Sequence, residues 1–160
     1  MEIRKTRYDH PDAVLLNDQV QKEYAERYGD EGDATPMAAG HFDPPRGLYL
    51  LGYDDQGLPV ASGGWRAQDD AEEGFEPGDA ELKRMFVIPE ARGRGYARAL
   101  LAELEASAAA AGRTRMVLET GLKQPEAIAL YSSCGYEPVG SFGYYRYAEL
   151  SVHLGKRLPA

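Results

Sequence analysis

Cysteine is nearly absent from this 160-residue chain: Cys134 stands alone, and there are only three histidines, His10, His41 and His153. A single thiol excludes an intramolecular disulfide and a thiolate-rich zinc site, and the histidines show no ligand spacing, so no metal is expected. Long apolar runs are missing too. Nothing approaches the roughly 18–20 consecutive apolar residues that cross a bilayer, and Met1–Asp9 lacks the apolar stretch of a secretory signal. The expected location is the cytoplasm, with no membrane partner. Basic residues are in deficit, 18 Lys and Arg against 26 Asp and Glu for a formal net charge of -8. A phosphate backbone is repelled by such a field, so nucleic acid is not an expected partner. A cationic small molecule or peptide end is drawn in by the same field, although an acidic surface also serves solubility alone.

With 43% hydrophobic and 28% charged residues, the chain has the profile of one folded domain, expected over residues 1–160. Glu2–Arg7 reads as a first strand. Pro11 then opens a helix over Asp12–Arg27 with apolar positions at Val14, Leu15, Val20 and Tyr24. Gly29–Arg46, rich in Gly, Asp and Pro, reads as a long loop of the kind that walls a substrate pocket. Leu48–Tyr53 and Val60–Trp65 flank Asp54-Asp55-Gln56-Gly57 as an antiparallel hairpin. The acidic run Asp69–Glu73 reads as a solvated loop before a strand over Ala80–Ile88. Gly95–Ala111 carries an apolar stripe of Leu100, Leu101, Leu104 and Ala108, with Gly112 as its stop. A strand over Thr114–Thr120, a helix from Pro125 to Gly135, and closing strands over Tyr136–Val139 and Tyr147–Leu154 complete the reading.

The informative block is Glu81–Ala97, in which a strand passes through the turn Arg92-Gly93-Arg94-Gly95 directly into a long helix. Successive backbone N–H groups at such a junction, backed by the positive end of the helix dipole, form an anion site that can cradle a pyrophosphate. Gly93 and Gly95 let the backbone approach closely, and Arg92, Arg94 and Arg98 add charge in fork geometry. The turn lacks the Gly-Lys-Ser/Thr of a nucleoside triphosphate loop. It also has Arg98 where a dinucleotide fingerprint needs its third glycine, and it lies mid-chain after hairpins.

What remains is an Arg/Gln-x-x-Gly-x-Gly/Ala pattern, met by Arg92, Gly95 and Ala97. Downstream, Ala127-Ile128-Ala129-Leu130-Tyr131-Ser132-Ser133-Cys134-Gly135-Tyr136 fits Ala-Ile-x-Leu-Tyr-x-x-x-Gly-Tyr/Phe. Together these resemble the GNAT superfamily of acetyl-CoA-dependent N-acetyltransferases, well over Val60–Val139 and loosely outside it. The resemblance implies a mixed α/β (α+β) fold: a twisted, mostly antiparallel sheet of about seven strands, helices on both faces, splayed open after Ala80 and after Thr114. It implies acetyl transfer from acetyl-CoA to a primary amine by direct transfer in a ternary complex. A CoA-binding sensor without catalysis, or an acyltransferase acting on protein N-termini or lysines, are the alternatives.

Carried over residue by residue, the resemblance places the backbone of Met85, Phe86 and Val87 against the pantetheine arm. Arg92, Gly93, Arg94, Gly95, Tyr96 and Ala97, with Arg98, hold the pyrophosphate. Tyr131 matches the tyrosine that protonates the departing thiolate, or is an aromatic core residue of its helix. Glu81, eleven residues before Arg92, matches a strand glutamate that acts as general base in some members, or is a structural partner of Lys83 or Arg84. Gln124 stands where the family often has asparagine near the cofactor arm. Glu119 is a second carboxylate at the splay or an exposed strand end. Cys134, with no His or Asn placed to activate it, reads as a buried packing thiol. Tyr144, Tyr145 and Tyr147 line a pocket or pack its surface. The acceptor and the choice between monomer and homodimer are not legible.

Overall fold

In a computed structural model describing residues 1–159, the chain forms β1 (Glu2–Thr6), α1 (Pro11–Tyr28), β2 (Gly47–Tyr53), β3 (Pro59–Gln68) and β4 (Asp79–Val87). Then follow α2 (Tyr96–Ala110), β5 (Arg115–Gly121), α3 (Pro125–Ser133), β6 (Glu137–Pro138) and β7 (Ser151–Arg157). All seven strands belong to one sheet in the order β1-β2-β3-β4-β5-β7-β6. Every neighbouring pair is antiparallel except β4 and β5, which run parallel. No helix among the described residues is long and apolar enough to cross a membrane.

Strand alternation divides the core between the two faces. Leu48 and Leu50 of β2 point to one side, where Leu100, Leu101, Leu104 and Ala108 of α2 and Tyr131 of α3 cover them. Tyr49, Leu51 and Tyr53 point to the other, under Ala13, Leu16 and Val20 of α1 and beside Phe42. Each buried leucine contributes about 1.5–3 kcal/mol of apolar burial. Trp65 on β3 donates from Nε1 to Ser107 Oγ at 3.1 Å, tying α2 to the middle of the sheet. α1 begins where His10 accepts a hydrogen bond from the Asp12 N–H as a side-chain N-cap, and ends at Gly29 in the left-handed region, an ordinary helix stop.

The decisive irregularities lie in β4. Its parallel pairing with β5 comprises only Asp79↔Arg115, Ala80↔Met116 and Glu81↔Val117, after which the strands diverge. The paired end is clamped by a buried fork, Arg115 to both oxygens of Asp79 at 2.7 Å. On the other edge, the register against β3 slips between Ser62 and Gly64. The bulge falls at Arg84, whose φ of 60° makes it the one non-glycine residue with a left-handed backbone among those described. A side chain held there costs on the order of 1–3 kcal/mol.

Two expectations need correction. The last strand is Ser151–Arg157 rather than Tyr147–Leu154, because residues 143–150 form successive turns, and Tyr136–Val139 shrinks to Glu137–Pro138. The acidic run is a solvated loop as expected, with Asp69, Asp70, Ala71 and Glu72 exposed, and it is an ordered one. Ala71–Glu73 is a 3-10 turn, and Asp69 receives the Gly78 N–H and Arg113, which hold its carboxyl down to about 2.

Candidate active site

The divergence of β4 from β5 opens two adjoining cavities. The larger, ≈ 420 Å³, lies between the splayed strands, α1 and the loop after it. The second, ≈ 350 Å³, runs from the same splay to the turn before α2. Tyr24, Met85, Gln124, Ala127 and Tyr131 line both, so the two spaces meet at the splay.

The second cavity collects most of the residues expected to hold a cofactor. Met85, Phe86 and Val87 form its strand wall, on the part of β4 that has no strand partner on the β5 side. Gly93, Gly95, Tyr96 and Ala97 form its far end. Gly93 and Gly95 each have φ of 80°, and a Cβ on either would meet nothing within 4 Å. The glycines are thus required for conformation, not for close approach. Gly95 is the N-cap of α2 and offers no side-chain cap, which leaves the first amides of the helix directed at the cavity end for an anion.

The arginines divide. Arg92 donates from Nε to the Val87 carbonyl at 2.9 Å and from its terminal nitrogen to both Glu23 oxygens at 3.1 Å, bracing the turn against β4 and α1. Arg98 reaches Ser133 Oγ at 2.6 Å and Cys134 Sγ at 3.3 Å. Cys134 is a packing thiol as expected, set against the core beneath α2, but half-buried rather than fully buried. Arg94 is exposed and lines neither cavity. Gln124 opens α3 and donates to Tyr28 Oη at 3.2 Å.

Tyr131 is buried where the cavities meet, its ring edge-on to Tyr136 at 5.8 Å between centroids. Burial, with the Cys134 thiol as a second cause, pushes its phenol well above the usual range, so it is a proton donor and not a phenolate at neutral pH.

Each glutamate falls on one of the two readings open to it: Glu81 has a structural ion-pair environment and Glu119 stands at the splay. Glu81 lies at the last paired position of β4, is 4% exposed, and lines neither cavity. Its Oε1 takes Arg66 Nε at 2.9 Å and Gln68 Nε2 at 3.1 Å, so its partner is Arg66 and not Lys83 or Arg84. Glu119 is the carboxylate that lines the larger cavity. It stands two residues beyond Val117, as Lys83 stands two beyond Glu81, which sets the two across the open splay. Burial lifts its carboxyl to about 7, against the pull of Lys83, which suits reversible proton uptake at neutral pH.

The remaining walls come from segments with little sequence signal. Asp30, Gly32 and Asp33 of the loop after α1 line the larger cavity. Asp33 is held well below the usual carboxylate range: Lys83 and Thr35 outweigh the opposing effect of burial, the largest single influence. Of the three late tyrosines, Tyr145 lines the cavity and accepts the Ala34 N–H at 2.8 Å, whereas Tyr147 is 86% exposed.

The model of the Acetyltransferase (GNAT) family matches residues 14–136. The chain belongs to this family. Among GNAT relatives, an IAA acetyltransferase of Azospirillum brasilense is 46% identical over 83 residues, 52% of this chain and 54% of that protein. The chain thus spans about half the length of that relative. A crystal structure assigned as an acyl-CoA N-acyltransferase from Klebsiella pneumoniae superposes with a TM-score of 0.79 at 28% identity, covering 99% of this chain and 97% of its own. A GNAT phosphinothricin acetyltransferase from Sinorhizobium meliloti, solved in complex with AcCoA, has a TM-score of 0.67 at 20% identity and covers 98% and 88%; at that identity it speaks for the fold.

Proposed function

We propose that the chain transfers an acetyl group from acetyl-CoA to a primary amine, directly, with both substrates bound at once. The observation that carries this reading is the meeting of the two cavities at the splay, beside the Tyr131 phenol and with Glu119 on the wall of the larger one. The second cavity suits the cofactor. Its far end supplies uncapped amides for a diphosphate, and its strand wall of Met85–Val87 has an unpaired edge for an extended amide arm. The larger cavity suits the acceptor.

In this arrangement the acceptor nitrogen loses a proton to Glu119, forms a bond to the acyl carbon, and the carbon–sulfur bond breaks. The electron pair leaves on sulfur, which takes a proton from Tyr131, and the phenolate recovers a proton from the acylated nitrogen, which leaves as the neutral amide. Glu81, bound by Arg66, orders the paired end of β4. Calorimetry with acetyl-CoA and CoA, paired with thiol release over an amine panel, tests the reading. Binding in the micromolar range with amine-dependent thiol release is expected, and tight binding without release from any amine would reject catalysis.

A further inference from the structure

Leu82–Met85 of β4 all border the larger cavity, and within that run the side chains of two consecutive residues, Lys83 and Arg84, reach the same carboxylate, Asp33. A regular strand forbids this, because successive residues alternate between faces. The cause is the bulge with Arg84 at φ 60°. Leu82 before the pair and Met85 after it both pack in the core on the α2 side, so the break in alternation is confined to these two residues. Strained backbone at a cavity floor therefore serves to gather two cations in one place. Their side chains are only 11% and 6% exposed.

The floor is short of negative charge. One carboxylate oxygen, Asp33 Oδ2, serves both cations, at 3.0 Å from Lys83 Nζ and 3.4 Å from Arg84 Nε. Their other partners are neutral: Thr35 Oγ1 at 3.1 Å from Lys83 and Asn17 Oδ1 at 3.3 Å from Arg84. Glu81 is matched by Arg66. Glu119, the next carboxylate on the wall, is held up by burial and is only partly charged at neutral pH. An uncompensated buried cation is costly, and an anionic ligand group removes the cost. At the mouth the sign reverses, with exposed Asp30 and Glu149.

On the reading of the larger cavity as the acceptor site, we infer that the acceptor is a dipolar amine. Its amino group lies toward Glu119 and its carboxylate meets Lys83 and Arg84, with Tyr24, Tyr28 and Leu150 around an apolar side chain. An ammonium is favoured beside Glu119 and a carboxylate beside Lys83 and Arg84, which face Glu119 across the splay, so an amino acid matches both and a simple amine only one, while the acidic mouth draws the ammonium inward.

The test uses matched pairs, α-amino acids and their decarboxylated amines (phenylalanine with phenethylamine, leucine with isopentylamine), in a thiol-release assay with acetyl-CoA. The amino acid of at least one pair is expected to exceed its amine at least tenfold in kcat/KM. Lys83→Gln is expected to shrink that ratio at least tenfold, chiefly through KM for the amino acid, and Lys83→Arg to restore most of it. If Lys83→Gln does not fold, the wild-type pairs decide alone. Amines that match or outperform their amino acids throughout overturn the inference and leave acyl transfer standing. No thiol release from any compound overturns both.

Discussion

Replacing Glu119 by glutamine should reduce activity and increase stability together, and the size of the second effect follows from its surroundings. A carboxyl moved from its ordinary 4.5 to about 7 by burial favours its protonated form in the fold by about 3 kcal/mol, at ~1.36 kcal/mol per pH unit. Between those two values the folded chain binds more protons at this site than the unfolded chain. Stability therefore falls as pH rises through the window, and the full cost is present above about 7. Glutamine imitates the protonated state at every pH. Urea denaturation from pH 4.5 to 8.5 should show Glu119→Gln near the wild type at the acid end and about 3 kcal/mol more stable at the alkaline end. Asp33 and His153 titrate alike in both proteins and cancel in the difference. Turnover of the variant should fall about 10²-fold, and the wild-type kcat/KM should climb through about 7 to a plateau. A stability difference that stays flat across the range, or a variant with wild-type turnover, refutes the assignment.

Other substitutions separate chemistry from scaffolding. Tyr131→Phe should lower kcat about tenfold or more while CoA affinity by calorimetry stays within about threefold, because only the hydroxyl is removed. Glu81→Gln should act on stability first, costing about 3 kcal/mol in urea unfolding by leaving buried Arg66 uncompensated; a fully stable but inactive variant would restore Glu81 to the chemistry. Gly95→Ala places a side chain at φ 80° and should cost about 1–2 kcal/mol of stability, with CoA binding weakened more than by Arg94→Ala.

The sequence made some of this site legible and hid the rest for physical reasons. The turn through Gly93 and Gly95 and the helix bearing Tyr131 were readable because backbone conformation and helical spacing leave local marks. Glu119 was legible only as a second carboxylate at the splay or an exposed strand end, since the environment that decides between them is created by β4, β7 and the loop after α1, none adjacent in the chain. The bulge at Arg84 had no sign at all, because arginine has no preference for positive φ and the slip is imposed by pairing with β3. The shift of the final strand to Ser151–Arg157 has a similar origin: Tyr147 through Leu150 have strand-compatible side chains, but their backbone turns where β5 offers no further partner beyond Gly121↔Ser151. The loop after α1 was read as a pocket wall from composition, and the ion pairs of Asp33 explain why it holds its place.

The three rungs joining β4 to β5 make the molecule two slabs sharing a short weld. β1–β4 form one and β5, β7 and β6 the other, with Asp79 and Arg115 as the rivet at the closed end. Any molecule lodged in the gap bridges both slabs, so its arrival should slow amide deuterium exchange along Leu82–Val87 more than in β1 or β2, turning occupancy of the cleft into a signal readable without catalysis.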